Sequence, residues 1–393
     1  MSSQIIMSGL HHAFHYYRQS LAGVVARVYH HRLATASFST LGVSFGFLYL
    51  LQSRRTQAHV RQLRQNAEAI GDKPCKYPLG NETSDTYTLP DGRKLGYAEY
   101  GTRDGKPIFF LHGSPGSRIE AASLDGPAKD LNVRIISVDR PGIGWSSPHP
   151  GRTLEDFAKD IETLAASLGL EKFVLVGVSG GGPYSLACAR FISQDKLKAA
   201  ACVVGMGAPD MSKKGMRWFN WLGFQLGYPY LPAKMFFWAV TQTYEGRLDL
   251  TENERYALIR ERIQSEFPSM PIKDRPFWED EDNIRLFLRS MQEVRTKSSI
   301  PDVQMQDFVN GFLTDGRVLS LDWKFKIEDI PQGMPVRIWY GEQDVNCPPG
   351  YGRETMRRLG DRKECLLRIE DETHISMWTT SQRDILKDLL RFL

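Results

Sequence analysis

Near the middle of the chain, Gly177-Val178-Ser179-Gly180-Gly181 directly follows an apolar run at 173–176 and directly precedes a helical stretch. A serine in a G-x-S-x-G pattern between strand and helix can act as a nucleophile. The turn must be so tight that its backbone is strained, and only small residues two before and two after the serine let it close. Such a turn lifts the hydroxyl out of the sheet's C-terminal edge. The helix behind it points its free N–H groups at any anion that forms there. The five-residue pattern alone is common by chance; its position between strand and helix gives it weight. A serine alcohol has a high pKa and needs a base, and the base needs an orienting acid. Of nine histidines, six (11, 12, 15, 30, 31 and 59) crowd the beginning of the chain, leaving His112, His149 and His374 for the remainder. His149, in Pro148-His149-Pro150, reads as a surface loop residue. Carboxylates follow the apolar run at 336–340 in Gly341-Glu342-Gln343-Asp344, and Asp371 lies just before His374.

The elements that must position these groups alternate. Residues 86–89 and 94–100 read as strands around the turn Pro90-Asp91-Gly92, a hairpin signature. Apolar runs follow at 107–111, 133–138, 173–176 and 199–204. A helix begins after Thr153, which Asp156 can box, and Leu154, Phe157, Ile161, Leu164 and Leu168 recur at helical spacing. A second helix spans about 181–193. Continuous apolar runs separated by helices predict an α/β fold, with a mostly parallel sheet covered on both faces. The alternation stops near Gly207 and resumes near Pro335 with strands at 336–340 and 366–369. A last helix from about Ser381 carries Ile385, Leu386, Leu389, Leu390 and Leu393 on one stripe. Residues 208–328 between them form an insertion with helical content and many aromatics, among them Trp218, Phe219, Trp221, Phe224, Tyr228, Tyr230, Phe236, Phe237 and Trp238.

From about residue 85 to the end the chain resembles the α/β-hydrolase family, in its serine esterase and lipase-like branch. Four features carry the resemblance, in the family's order: His112-Gly113-Ser114-Pro115 after one strand, Asp139-Arg140-Pro141-Gly142-Ile143-Gly144 after the next, the serine turn, and then acid and histidine. The resemblance implies an eight-stranded sheet and a triad of Ser179, Asp344 and His374. His374 sits where the family puts its base, and the family's Gly-x-x-Asp spacing selects Asp344, with Glu342 and then Asp371 behind it. It implies an oxyanion hole from the backbone amides of Ser114 and Gly180, and a structural ring for His112. Asp139, Arg140 and Gly144 read as structural, through arginine–carboxylate pairing and glycine turns. The core is expected at 76–207 and 329–393, with 208–328 as a helical cap. The cap's aromatics line an apolar acyl or alcohol pocket or form the cap's own core. The expected activity is hydrolysis of a carboxylic ester, hydrophobic in character, through an acyl-enzyme. An acyltransferase, a carbon–carbon bond hydrolase or a non-catalytic binding protein of the fold are the alternatives. A serine rather than an aspartate at the turn argues against a dehalogenase or epoxide hydrolase. No P-loop, dinucleotide fingerprint or metal-ligand spacing occurs, so no cofactor and no metal are expected.

Charge separates a tail from this body. The chain has 50 Lys+Arg against 46 Asp+Glu, a net charge of +4. Seven arginines and no acidic residue precede Glu68, so the remainder carries 4 − 7 = −3. Nothing in the body forms a basic stripe that would track phosphates, which argues against a nucleic-acid partner. Residues 33–52 are uncharged and flanked by arginines, about the twenty helical residues that span a hydrocarbon core. Residues 1–75 are therefore expected to be a targeting or membrane segment and linker. They carry an N-terminal hydrophobic helix that anchors the protein in a membrane. A mitochondrial transit segment is the alternative. Five scattered cysteines without a C-x-x-C pair read as buried thiols.

Overall fold

Every apolar run becomes a strand in the computed structural model, which describes residues 74–232, 250–295 and 305–393 apart from 361. The strands are β1 (Ser84–Thr88), β2 (Lys94–Gly101), β3 (Lys106–Leu111), β4 (Val133–Val138), β5 (Phe173–Val178), β6 (Leu197–Val203), β7 (Val336–Gly341) and β8 (Leu366–Glu370). They form one sheet in the order β1-β2-β4-β3-β5-β6-β7-β8. β2 pairs antiparallel with both β1 and β4, and every other pairing is parallel. The helices used below are α1 (Asp125–Asp130), α2 (Leu154–Ser167), α3 (Gly182–Phe191), α4 (Trp218–Leu222), α5 (Glu252–Glu266), α6 (Glu281–Arg295), α7 (Met305–Ser320), α8 (Gly350–Leu359) and α9 (His374–Leu390). α4 to α7 lie in the insertion between β6 and β7.

All six residues of β5 are buried, because both faces of the sheet are covered. Alternate side chains serve the two faces. Phe109, Leu111 and Leu175 pack with Phe157 and Leu164 of α2 and Tyr184 of α3. Ile108, Phe110, Val174 and Val176 pack with Ile385 and Leu389 of α9. The start of α2 is as the sequence indicates: Asp156 N–H donates to Thr153 Oγ1 at 3.2 Å, and Thr153 N–H to Asp156 Oδ2 at 2.8 Å.

Two differences bear on the site. The last helix starts at His374, seven residues before Ser381. Thr373 caps it, accepting from Ser376 N–H at 3.1 Å. Its first turns look polar because Thr379 and Thr380 satisfy their hydroxyls on carbonyls one turn back, Thr379 on Ile375 and Thr380 on Ser376. The segment after Ser117 is also helical, as a 3-10 stretch from Arg118 to Leu124 and then α1, which no apolar periodicity announced.

The turn after β5 depends on glycine for reasons of space. A Cβ on Gly177 would lie 2.2 Å from the carbonyl oxygen of Gly181, and one on Gly181 would lie 2.1 Å from that of Leu111 in β3. Gly181→Ala must push β3 aside and is expected to cost about 1–3 kcal/mol. A urea midpoint equal to that of the wild type would contradict this packing.

Residues 67–393 form one compact unit. The expected membrane helix at 33–52, most of the linker, and Phe236, Phe237 and Trp238 lie outside the described residues. Among the described residues no helix is long and apolar enough to cross a membrane.

Candidate active site

Ser179 stands at the end of β5 with φ +52°, in the left-handed region that a serine occupies only under strain. A short turn, Ser179–Gly181, leads straight into α3. Gly180 lies against the loop after β3: a Cβ on it would be 2.5 Å from Ser114 Cβ and 2.9 Å from Ser114 N. The two residues expected to supply oxyanion amides are therefore neighbours in space, although 66 positions separate them.

Asp344 is buried in the turn after β7. Its Oδ2 accepts from His374 Nδ1 at 2.7 Å. Its Oδ1 accepts from the N–H groups of Asn346 at 2.7 Å and Cys347 at 2.8 Å. A ring that donates from Nδ1 presents Nε2 as an acceptor. The other carboxylates face elsewhere. Exposed Glu342 pairs with Arg353 at 2.6 Å, and exposed Asp371 with Lys273 at 3.0 Å.

The other two histidines of the body do other work. His112 is fully buried, with Nδ1 2.8 Å from the Gly113 carbonyl oxygen. Burial and the charge of Arg140 push its pKa well below the ordinary value, so the ring is neutral. His149 is half-buried in the turn before α2, where its carbonyl accepts from Arg152 N–H at 3.3 Å.

Electrostatics around His374 favour its charged form. Burial opposes the imidazolium, but the charge and hydrogen bond of Asp344, with Asp274 and Glu120 beyond it, outweigh burial and raise the pKa. Asp274 belongs to the insertion and contacts Thr373 Oγ1. Glu120 accepts from Gly113 N–H at 2.9 Å through Oε2. A Cβ on Gly113 would lie 3.4 Å from that oxygen and 3.6 Å from Ser179 Cβ. Burial pushes the Glu120 carboxyl up to about 7, against the pull of Gly113 N–H, Arg140 and His374. The Cys347 thiol also lies within reach of the Ser179 hydroxyl, and burial raises its pKa far above the usual thiol range. It is one of four buried cysteines; all five are free thiols.

The insertion grips the loop after β3 at three points. Ser290 of α6 accepts from Ser117 N–H at 3.0 Å. Glu293 of α6 pairs with Arg118 at 2.8 Å, and Arg118 also pairs with Asp139 at 2.8 Å. Asp315 of α7 reaches deepest. It accepts from Arg140 Nε and Nη2, both at 2.8 Å, from Arg152 at 3.0 Å, from the Tyr184 hydroxyl at 2.7 Å and from Ser114 Oγ at 3.1 Å. Burial alone would raise its pKa; Arg140 and Arg152 reverse the sign and hold the carboxyl far below the usual carboxylate range. Arg140 also donates to the carbonyls of His112 and Gly113.

Glu120, Asp274, Asp315 and Cys347 were all missed as neighbours of the site. Glu120 stood in plain view, seven residues after Gly113, but no spacing rule marks it. Asp315 lies 201 residues from Ser114 and had no local signal. Arg140 does pair with a carboxylate, as expected, but its partner comes from the insertion rather than from its own turn. Among the described residues no group of His, Cys, Asp and Glu is arranged to hold a metal ion.

Sheet order, strained serine turn and insertion between β6 and β7 together define the class: the chain belongs to the α/β hydrolase fold family, whose model matches residues 106–380. Among curated proteins it is 35% identical over 107 residues to a proline iminopeptidase of Xylella fastidiosa, covering 26% of this chain and 33% of that enzyme. The chain thus aligns with only a third of that relative. A proline iminopeptidase of Xanthomonas citri is 26% identical over 277 residues, 66% of this chain and 81% of the relative. The structure of an esterase from Exiguobacterium antarcticum matches with a TM-score of 0.50 at 18% identity, over 78% of this chain and 98% of the esterase, a likeness of fold.

Proposed function

We propose that the protein is a serine hydrolase that cleaves a hydrophobic carboxylic ester through an acyl-enzyme. Ser179 Oγ attacks the ester carbonyl while His374 Nε2 takes its proton, and Asp344 holds the ring and balances the imidazolium. The carbonyl oxygen becomes an anion facing the Gly180 and Ser114 amides, donors typically worth about 3 kcal/mol each in such a transition state. The tetrahedral adduct collapses, the alkoxide leaves with the proton from His374, and water repeats the sequence to release the acid. One observation carries this reading: the 2.7 Å bond from His374 Nδ1 to a buried Asp344, in a chain whose serine turn is strained to φ +52°. A fluorophosphonate probe should label full-length protein at Ser179 and nowhere else. Absence of labelling in protein shown to be folded would overturn the proposal.

Cleavage of an aminoacyl amide is the second reading. Glu120 and Asp274 are carboxyls in the field of His374 that could accept a substrate ammonium group, and the relatives include several proline iminopeptidases. Turnover of acyl esters of graded chain length against a prolyl amide separates the two. For location, we propose attachment to a membrane through residues 33–52, with mitochondrial import as the alternative. Carbonate-resistant pelleting of protein with intact mass supports the anchor, and a shortened soluble product supports import.

The pH dependence follows from the groups around His374. The reaction needs a neutral imidazole, so kcat/KM should rise with pH through the raised His374 pKa. Glu120 loses its proton near pH 7 and adds negative charge over the same interval. Glu120→Gln keeps an acceptor for Gly113 N–H and removes that charge. The acid limb of the profile should then move to lower pH, by roughly half a pH unit. A limb that stays put or moves upward would show that Glu120 does not act on His374.

A further inference from the structure

Residues 218–230, Trp-Phe-Asn-Trp-Leu-Gly-Phe-Gln-Leu-Gly-Tyr-Pro-Tyr, contain no charged side chain. They form one helical segment, from α4 through a wider turn at Gly223–Gly227 to Tyr228–Tyr230. Its inner side is packed. The rings of Phe224 and Tyr228 are 5.1 Å apart, and Tyr228 lies 5.9 Å from Phe312 of α7. Its outer side carries Trp218, Leu222, Leu226 and Tyr230, every fourth residue, with exposures of 72%, 39%, 50% and 75%. Exposed Phe219 and Trp221 flank this row. Trp218, Phe219, Trp221 and Tyr230 therefore do not form the insertion's core, which corrects that sequence expectation for them, whereas Phe224 and Tyr228 meet it. A helix apolar on both sides and without charge does not belong against water.

Charge and position narrow what covers it. No acidic residue occurs between Asp210 and Glu245, whereas Lys213, Lys214, Arg217 and Lys234 do. Lys214 and Arg217, directly before the row, are exposed. The segment is also tied to the loop of the proposed catalytic acid. Arg217 N–H donates to the Val345 carbonyl at 2.7 Å, and Asn220 Nδ2 to Asn346 Oδ1 at 3.0 Å. Val345 is itself exposed and extends the apolar surface. Trp and Tyr beside Leu, with only cations among the charged residues nearby in the chain, is the composition that settles at the boundary between headgroups and acyl chains of an anionic membrane.

We infer that the outer face of residues 218–230 docks on an anionic lipid surface and brings the Asp344–His374 site to it. Trp218, Leu222, Leu226 and Tyr230 enter the boundary layer, while Lys214 and Arg217 meet lipid phosphates. That the same lipid phase delivers the ester rests on the function proposed above; the docking itself does not.

Residues 33–52 could hold the full chain on any vesicle, so the readout must be local. Amide hydrogen exchange of full-length protein is measured with phosphatidylcholine vesicles containing or lacking phosphatidylserine. Exchange in 214–230 should slow by about tenfold with the anionic vesicles, and less with the neutral ones. Replacing Trp218, Leu222, Leu226 and Tyr230 together by serine should abolish this slowing. Turnover of a short soluble ester should be unchanged, and turnover of a vesicle-embedded ester should fall. Lys214→Glu with Arg217→Glu, which leaves the row intact, should remove the preference for anionic vesicles. Protein that pellets with vesicles while exchange in 214–230 is unaltered overturns the inference. So does protection without lipid: growing with protein concentration it means a second copy, and independent of concentration it means cover by the chain's own residues, such as 233–249. Slowing in 214–230 by a protein that no fluorophosphonate labels would leave the docking standing and remove only the ester reading.

Discussion

Asparagine at position 344 should lower ester turnover by about four orders of magnitude and leave the fold intact. The reason lies in the two oxygens of Asp344. Oδ1 is committed to the N–H groups of Asn346 and Cys347. In the variant the amide oxygen must stay there, because only an acceptor satisfies two donors. The amide NH2 then faces His374 Nδ1. To avoid two donors meeting, the imidazole must carry its proton on Nε2, the nitrogen that should receive the proton of Ser179. The ring also loses the charge that does most to raise its pKa, so less imidazolium character is available in the transition state. Circular dichroism and the melting temperature should stay close to wild type while kcat collapses. Glu342→Gln and Asp371→Asn serve as comparisons, since those exposed carboxylates pair with Arg353 and Lys273. Both should turn over ester at close to the normal rate. Normal turnover by Asp344→Asn would mean that another acid orients His374.

Asp315→Ala should have the largest effect on stability. The carboxylate, Arg140 and Arg152 are all fully buried, and among the described residues Asp315 is the only carboxylate paired with either arginine. Removing it strands two guanidinium groups in the interior and leaves Tyr184 and Ser114 without the acceptor their hydroxyls use. Breaking such a buried pair typically costs about 3–5 kcal/mol, because the surviving charge keeps its desolvation penalty without a partner. For a unit of this size that corresponds to a melting temperature lower by roughly 5–10 °C. The loss also reaches the reaction. Arg140 binds the carbonyls of His112 and Gly113, and Ser114 borders Gly180, so a shifted Arg140 loosens the proposed oxyanion amides. The surviving folded protein should therefore lose kcat more than it changes KM. A melting temperature within a degree of wild type would mean that the insertion does not depend on this ion cluster.

How much of this was legible in advance depended on the reach of each interaction. Strands β3 to β7 could be read because a buried parallel strand needs a continuous apolar run, a property of five or six adjacent residues, and β1 and β2 from the turn between them. The serine turn could be read because part of its constraint is equally local: a Cβ on Gly177 would meet the carbonyl oxygen of Gly181, four residues on. The Thr153–Asp156 box and the hairpin around Gly92 are of the same kind. Even Asp344 stood out by its spacing from Gly341, although its burial and its bond to His374 are facts of the fold.

What depended on crossings between distant loops was not legible. The start of α9 was hidden because Thr379 and Thr380 look polar while bonding back to their own helix. Asp315 meets Ser114, Arg140, Arg152 and Tyr184 only because α7 crosses above three separate loops. Glu120 meets Gly113 only because the 3-10 turn after Ser117 folds it back onto that loop. Nor can composition say which side of a hydrophobic helix faces out: Phe224 and Tyr228 are packed, while Trp218, Leu222, Leu226 and Tyr230 are not. The sequence alone determined the strands, the serine turn and the family, because each is written mainly in residues adjacent along the chain. Only the tertiary structure decided which charges neutralise one another and which apolar face is left open, because burial and pairing are properties of the assembled surface and not of the residues in order.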